Sequence, residues 1–340
     1  MTKTQLVLLK SGSDKLKQKI AAGGPIVLCG TPSVVLSSPP KITPETGRVP
    51  LRKEVVEDIE KSSIAISCTY DNGVIANEMV RHQLHIVAIA LQLVKPTMFF
   101  LNLWLQLDSD DLTEMVLRPV SDLDRFPPEP YLRYQQHHCI TEVDVQRAVG
   151  LISRLSKVID PAHGSWDHPL LAIHRAVMFF CQGYSVTLPD PKQFLWAAGL
   201  DCLYASKLDR KKQASAEIAR RMHILLGPKL KLYEADTVSI PVHQTTRAHK
   251  ELENVSADIF RLRNAYAHGK PIPDIAWLPG QGRPYESGYA YQLLEQTEIA
   301  LRLTLLRILE DKMLFETFSD SVRLDSYFSA VPAAPMGSGP

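Results

Sequence analysis

The stretch from Arg261 to Pro271, RLRNAYAHGKP, carries the residues of this chain that are best suited to chemistry. Arg263 and His268 lie five residues apart, which on a helix places them about 140° around the axis and about 7.5 Å along it. A planar guanidinium pairs with phosphate oxygens, and an imidazole titrates near neutral pH. A long arginine side chain spans that offset, so the two groups would meet beside a helix end and act on a phosphate.

The helix that must position these residues is predicted to begin near Thr245 or Thr246, either of which suits an N-cap. Its buried face is marked by apolar residues at three- to four-residue spacing, namely Leu252, Val255, Ile259 and Leu262. Gly269 stands where a left-handed residue is needed after a helix, and Pro271 cannot continue one. His268 is therefore predicted to be the last helical residue.

In this context the sequence LRNAYAHG resembles the R-x4-6-H signature of the HEPN superfamily, and its His-Gly ending is similar to the Apea-like branch. A second Arg-x4-His, Arg133 to His138, lies beside prolines and has no helical pattern. Upstream, FLWAAGLDCLYAS (Phe194 to Ser206) and AEIARRMHILLG (Ala216 to Gly227) are similar to the first two core helices of those domains. The resemblance covers Thr141 to about Ser319, roughly half of the chain.

The resemblance implies a helical domain whose Arg and His sit near a dimer interface, and a metal-independent endoribonuclease of a defence or toxin-like kind. The nucleophile would be the 2′-OH of RNA itself. His268 would transfer protons, Arg263 would hold the phosphate bidentately, and Asn264 would orient the histidine or the phosphate. Since one histidine is not obviously both base and acid, two copies in a homodimer would supply both. Other members of the family have lost activity and are RNA-binding or protein-interaction modules, which is the alternative.

Arg263 and His268 also have a structural explanation. Cations near the C-terminus of a helix complement its dipole and bind its last carbonyl groups. The sequence alone leaves both explanations open.

A basic segment lies between two of these helical patterns. From Lys207 to Leu232 there are eight basic residues and two acidic ones, whereas the whole chain has a net charge of +1. A solvated helix face is the ordinary explanation, but a face beside Arg263 and His268 would follow RNA phosphates. The candidate RNA-binding residues are Lys207, Arg210, Lys211, Lys212, Arg220, Arg221, Arg261 and Tyr266, the last by stacking on a base.

Composition excludes several other classes. With 45% apolar and 22% charged residues in 340, the chain has enough apolar sequence for about two globular domains. Its five cysteines are scattered without a CxxC pair, so neither a disulfide framework nor a zinc site is predicted. The pair His82 and His85 and the run His137 to Cys139 lack partner ligands, and we predict no metal or cofactor. No apolar stretch approaches eighteen residues, so we expect a cytoplasmic protein without a membrane span.

The predicted N-terminal domain, residues 1–125, is α+β and of unknown role. It contains strands at Ile26–Cys29, Ile64–Tyr70 and Phe99–Leu107, and a helix at Gly73–Leu93. The acidic run after Leu107 favours a turn and the start of a helix. A Pro-rich linker, residues 126–140, follows.

Residues 141–320 are predicted to form the mostly α-helical HEPN-like bundle, and residues 321–340 a disordered tail. The helix of residues 245–268 and a long helix of residues 287–318 should pack together. The apolar stripe of the second is long enough to protrude and to pair with another copy, and its members are Leu294, Leu301, Leu305 and Ile308. RNA, a second copy and a regulatory protein are thus the candidate partners.

Overall fold

A computed structural model describes most of the chain. The described residues are 2–9, 12–30, 33–39, 63–71, 74–95, 99–108, 111–118, 139–159, 168–186, 189–206, 214–230, 252–270 and 288–330. The chain divides into two compact units, residues 1–159 and residues 160–340. Within the described residues, no helix is both long enough and apolar enough to cross a membrane.

The first unit is built on a six-stranded sheet in which every neighbouring pair is antiparallel. Its strands are β1 (Thr2–Leu9), β2 (Ile26–Cys29), β3 (Val34–Ser37), β4 (Ile64–Asp71), β5 (Phe99–Asp108) and β6 (Asp111–Arg118). The spatial order is β2-β3-β4-β1-β5-β6, so β1 pairs with β4 on one side and with β5 on the other. The α+β character predicted for the N-terminal region is confirmed.

Strand β6 occupies the acidic run that was predicted to be a turn and a helix start. The predicted helix start is wrong, because Asp108 pairs with Asp111 and the residues after Asp111 pair with β5. Pairing with a neighbouring strand therefore overrides the local preference of acidic residues for a helix N-terminus.

In the described ranges of the first unit, the sheet is accompanied by the helices α1 (Asp14–Gly23), α2 (Val74–Val94) and α3 (Glu142–Ile159). Helix α2 packs against α3 and also contacts β4 and β1. Thr141 and Asp144 cap α3 reciprocally, because Thr141 N donates to Asp144 Oδ2 at 2.8 Å and Asp144 N donates to Thr141 Oγ1 at 3.3 Å. This reciprocal cap explains why α3 begins at Glu142.

Helix α3 belongs to the first unit, whereas the sequence assigned it to the second. Two contacts explain the difference: Gly12 and Ile140 form a β-bridge, and Ser13 N donates to Ile140 O at 2.9 Å. The buried side of α3 includes Leu151 and Leu155 and is directed at α2. The boundary thus falls between residues 159 and 160 rather than within the predicted linker, of which residues 126–138 lie outside the described part of the chain.

The second unit is helical throughout its described residues. Its helices are α4 (Leu171–Ser185), α5 (Pro189–Tyr204), α6 (Ala214–Leu226), α7 (Leu252–Ala267), α8 (Gly288–Glu310), α9 (Lys312–Phe318) and α10 (Ser321–Ala330). Helix α5 lies at the centre and packs against α4, α6, α7 and α8. Helices α7 and α8 contact each other as predicted, although each packs more extensively on α5.

The C-terminal end of this unit differs from the prediction at two points. Asp311 adopts an extended conformation and accepts hydrogen bonds from the N–H groups of Met313 and Leu314, so the predicted helix of residues 287–318 is two helices. Residues 321–330 form α10, not a disordered tail, because Leu324 and Phe328 are buried. The remainder, residues 331–340, lies outside the described part.

The apolar stripe on α8 is buried within the unit. Leu294, Leu301, Leu305 and Ile308 are each at most 1% exposed. This stripe is therefore core, and a second copy would have to bind elsewhere.

Helix α4 approaches α5 closely at Gly183. A Cβ at this position would lie 2.1 Å from Nε1 of Trp196, which donates to Phe180 O at 3.1 Å and is fully buried. The glycine is thus required by packing rather than by its backbone conformation.

We expect Gly183→Ala to lower the free energy of unfolding by about 2 kcal/mol, because the indole must move in a packed core. Gly150→Ala is the matched control: it also lies inside a helix, and a Cβ there meets nothing within 4 Å. The control should gain about 0.5 kcal/mol from lower backbone entropy in the unfolded chain. Urea denaturation measures both, and equal midpoints for the two variants would contradict this packing.

Helix α2 contains a half-buried histidine, His85, whose Nε2 atom is enclosed. Nε2 of His85 has no hydrogen-bond partner among the described residues, and burial, followed by the charge of His82, lowers the pKa of His85 to about 4. The folded protein therefore holds His85 neutral, whereas the unfolded chain takes up a proton near the ordinary histidine pKa.

The stability that the neutral His85 contributes is fully present above about pH 6.5. It is lost as the pH falls toward 4, because the unfolded chain then binds a proton that the folded protein does not. We expect the wild type to lose about 2 kcal/mol of stability between pH 7 and pH 5 through this group. His85→Gln should remove most of that loss, while His82→Gln should retain it. Urea midpoints at both pH values decide the matter, and an unchanged pH dependence in His85→Gln would refute it.

Candidate functional site

Helix α7 ends in a glycine cap of the predicted kind. Gly269 has a φ of 58°, its N–H donates to Tyr266 O at 3.2 Å, and the N–H of Lys270 donates to Ala265 O at 2.9 Å. This pair of bonds is a Schellman motif with Gly269 at C′ and His268 as the C-cap. The predicted left-handed cap at Gly269 is confirmed, and the last helical residue is Ala267 rather than the predicted His268.

Arg263 lies in the last turns of α7, with about a quarter of its side chain exposed. Its Nη2 forms an ion pair with Oδ2 of Asp201, which lies in the last turn of α5. Its Nη1 donates to Oδ1 of Asn264 at 2.7 Å. The guanidinium is therefore held from two directions, by a carboxylate of α5 and by an amide of its own helix.

The inner part of the Arg263 side chain is less well satisfied. Its Nε is buried and has no hydrogen-bond partner among the described residues, and burial lowers the pKa of Arg263. Arginine stays protonated at any ordinary pH, so the site contains a permanent, partly desolvated cation. Such a cation favours an anionic partner, which here is the Asp201 carboxylate.

Asn264 connects this cation to two other parts of the site. Because arginine has only donors, the side chain of Asn264 turns its oxygen toward Arg263. Its Nδ2 donates to Oγ of Ser215 in the first turn of α6 at 3.4 Å, and its backbone oxygen accepts from the N–H of His268 at 3.1 Å. One residue thus links the guanidinium, the start of α6 and the backbone of His268.

His268 lies outside this cluster. Its side chain is exposed at the end of α7, as are its neighbours Ala267, Gly269 and Lys270. Tyr266 is 43% exposed and packs on Phe194 of α5, with ring centroids 5.2 Å apart. The structure therefore joins Arg263 and Asn264 in one cluster and leaves the imidazole free to meet a ligand from the solvent side.

The two arginines of α6 have structural roles. Arg221 is 5% exposed, donates to Tyr204 O at 2.6 Å, and pairs with Asp325 at 3.2 Å and with Glu217 at 3.4 Å. Arg220 donates through Nε to both carboxylate oxygens of Glu217 at 3.0 Å. These hydrogen bonds and charges lower the pKa of Glu217.

The prediction of a phosphate track along α6 needs correction for these two residues. Arg221 is enclosed by α5 and α10, and the charge of Arg220 is paired with the Glu217 carboxylate. Neither arginine therefore presents a free charge to RNA. Arg261 is different. Its side chain is 56% exposed, and its ion pair with Asp258 on the same helix is long, at 3.8 Å. The other basic candidates, Lys207, Arg210, Lys211 and Lys212, lie outside the described residues.

Sequence reasoning missed Asp201, Ser215 and Phe194. Asp201 had a detectable signal, because it is the only charged residue between Phe194 and Tyr204 in a helix that is otherwise apolar apart from its ends. A lone carboxylate on a buried helix requires a partner. Ser215 and Phe194 gave no comparable signal.

No metal site accompanies the cluster. Across the described ranges, no group of three or more His, Cys, Asp or Glu side chains is placed to hold a metal ion.

We expect Arg221→Ala to destabilise the second unit by about 3 kcal/mol, because it leaves Asp325 and Glu217 without their buried counter-charge. Arg261→Ala, the matched control, should change stability by less than about 0.5 kcal/mol, since exposed pairs contribute little. Urea denaturation followed by circular dichroism measures both. A wild-type midpoint for Arg221→Ala would return this arginine to the RNA-binding candidates.

Comparisons with protein-family models, with curated proteins and with solved structures gave no match for the chain. The function proposed below accordingly rests on the side-chain contacts described above and on the resemblance of residues 261–271 to the HEPN signature.

Proposed function

We propose that the chain is a metal-independent endoribonuclease with a HEPN-like helical domain, in which Arg263 and His268 act on the RNA phosphodiester. The observation that carries the proposal is the end of α7, where an exposed imidazole follows, by one hydrogen-bonded turn, a guanidinium fixed by Asp201 and Asn264. Phosphodiester cleavage requires a cation that stabilises the developing charge and a group that transfers protons, and the guanidinium and the imidazole are of these two kinds.

The reaction is an internal transesterification. His268 takes the proton of the ribose 2′-OH, the 2′-oxygen attacks phosphorus, and the bond to the 5′-oxygen breaks. Charge that develops on the non-bridging oxygens is stabilised by the N–H donors of Arg263. The products are a 2′,3′-cyclic phosphate and a free 5′-hydroxyl, so no water or cofactor enters this step.

A second histidine is needed to protonate the leaving oxygen, because His268 has just accepted a proton. We propose that it comes from another copy of the chain in a homodimer. Since the stripe on α8 is buried, the surface for this dimer is the exposed end of α7, from Tyr266 to Lys270. Each site would then receive one imidazole from each copy.

Nucleotide bases near the cleaved bond would meet the aromatic pair of Tyr266 and Phe194. Half of Tyr266 is exposed and its ring is braced by Phe194. A braced aromatic ring is a good surface for base stacking because little side-chain freedom is lost on binding. Arg261, on the exposed side of α7, would contact a neighbouring phosphate.

The alternative is a HEPN-like module that binds RNA or a regulatory protein without cleaving. One observation favours it: the donors of Arg263 are engaged by Asp201 and Asn264, which is also how a structural arginine is held. Under either function we propose a cytoplasmic location, because all five cysteines are free thiols, as expected in a reducing compartment.

The test incubates purified protein with labelled single-stranded RNA in EDTA. We expect cleavage of RNA but not of DNA, cyclic-phosphate ends, and a bell-shaped pH profile near neutrality. His268→Ala should abolish cleavage and keep RNA affinity, whereas Arg263→Ala should lose cleavage and some affinity, since a phosphate contact exists before and during the reaction.

His82→Ala is the matched control, because it removes a half-exposed histidine from the first unit and should cut like the wild type. Equal cleavage by His268→Ala would refute the nuclease. Binding of RNA without cleavage under all conditions would favour the alternative module.

A further inference from the structure

We propose that Asp201 is the positioning residue of the phosphate site: its carboxylate holds the Arg263 guanidinium in the orientation that receives an RNA phosphate. This inference rests on the proposed function and names a residue outside the R-x4-6-H stretch. It starts from the placement of Asp201 on α5, the helix that four others surround. A carboxylate on the most enclosed helix is a fixed point for a flexible side chain.

The donors of Arg263 are divided between two anchors. Nη2 pairs with Asp201 and Nη1 donates to Asn264, while the buried Nε makes no hydrogen bond among the described residues. Each Nη carries two hydrogens, so each retains one beyond its anchor. About a quarter of the Arg263 side chain is exposed, and we place the phosphate against these two hydrogens. A phosphate would bind there while both anchors stay in place.

Anchoring matters because arginine is long. A free arginine samples many rotamers, and binding must immobilise it. With Asp201 on one side and Asn264 on the other, the guanidinium is immobilised before RNA arrives. Loss of the carboxylate leaves a partly buried cation with an unsatisfied Nε, and the side chain gains from turning toward water.

Asp201 could also have the opposite effect, because its negative charge competes with the RNA phosphate for Arg263. If the carboxylate mainly blocked Arg263, a phosphate would have to displace it, and neutralising Asp201 would tighten RNA binding. The two effects differ in sign. The Asp201→Asn variant also separates the two effects. Asn keeps an acceptor oxygen for Nη2 but removes the negative charge.

The experiment measures affinity for a short fluorescein-labelled single-stranded RNA of mixed sequence, at fixed salt, in the full-length His268→Ala chain so that the RNA stays intact. We expect Asp201→Ala to weaken RNA binding about tenfold, because the long side chain of Arg263 must then be ordered when the RNA binds. Asp201→Asn should restore affinity to within about threefold. In an Arg263→Ala background, Asp201→Ala should have no further effect.

Glu316→Ala is the control, since it removes an exposed carboxylate that pairs with Lys312 on α9 and should leave affinity within about twofold. Thermal denaturation of each variant identifies general unfolding. Should Asp201→Ala not fold, Asp201→Glu takes its place, and its longer side chain should weaken binding about threefold by displacing the anchor.

The outcomes separate the inference from the function on which it rests. If Asp201→Ala and Asp201→Asn bind as tightly as the parent or more tightly, while Arg263→Ala binds weakly, the positioning role is refuted and the RNA site stands. If Asp201→Ala weakens binding equally with and without Arg263, its effect is general and the positioning role is again refuted. If the parent does not bind RNA, or Arg263→Ala binds like the parent, the proposed function fails and this inference fails with it.

Discussion

Burial of helix α5 is the constraint on which the helical unit depends. Four helices pack around it, so its surface has to be shaped for close approach on every side. Gly183 makes room for Trp196, and Gly199 makes room for Leu301, which a Cβ would approach to 2.7 Å. Such packing fixes the rotation of α5 about its axis, since rotating the helix would bring larger side chains to the positions of close approach. The direction in which Asp201 points follows from that rotation.

Polar groups on α5 and its neighbours are buried in matched pairs. Gln193 donates to Ile259 O at 3.1 Å, Tyr204 and Thr304 share a hydrogen bond of 3.0 Å, and Tyr184 donates to Glu298 at 2.6 Å. Because an unmatched buried polar group costs more than a matched one contributes, these pairs penalise other helix arrangements. They hold α7 and α8 in register with α5. The position of Arg263, and with it the proposed phosphate site, follows from that register.

The sequence predicted those structural features that depend on residues close together in the chain. Apolar spacing located α2 and α7, and Gly269 with Pro271 located the end of α7, because helix caps are local structures. Side-chain partners across helices were not predictable, since the pairing of Asp201 with Arg263 depends on how α5 and α7 pack. Likewise, the count of basic residues in α6 could not show that Arg221 is buried, because charge is visible in a sequence and burial is not.

The assignments of β6 and of helix α3 failed for a related reason. The acidic residues around Asp111 favour a helix start locally, and only the presence of β5 as a partner makes them a strand. Helix α3 follows a Pro-rich segment, but its attachment is decided by Ile140 beside Gly12, a residue distant in the chain.

Ion pairing on α6 and α7 bears on how RNA binding would respond to salt. A protein gains affinity from counterion release when its free cations replace the ions condensed on a polyanion. Arg220, Arg221 and Arg263 each already face a carboxylate, so their charge is largely balanced before RNA arrives. The described part of the domain would therefore release few ions on association. Its affinity would fall gently with ionic strength, and its selectivity would depend on the shape of the RNA backbone and on stacking.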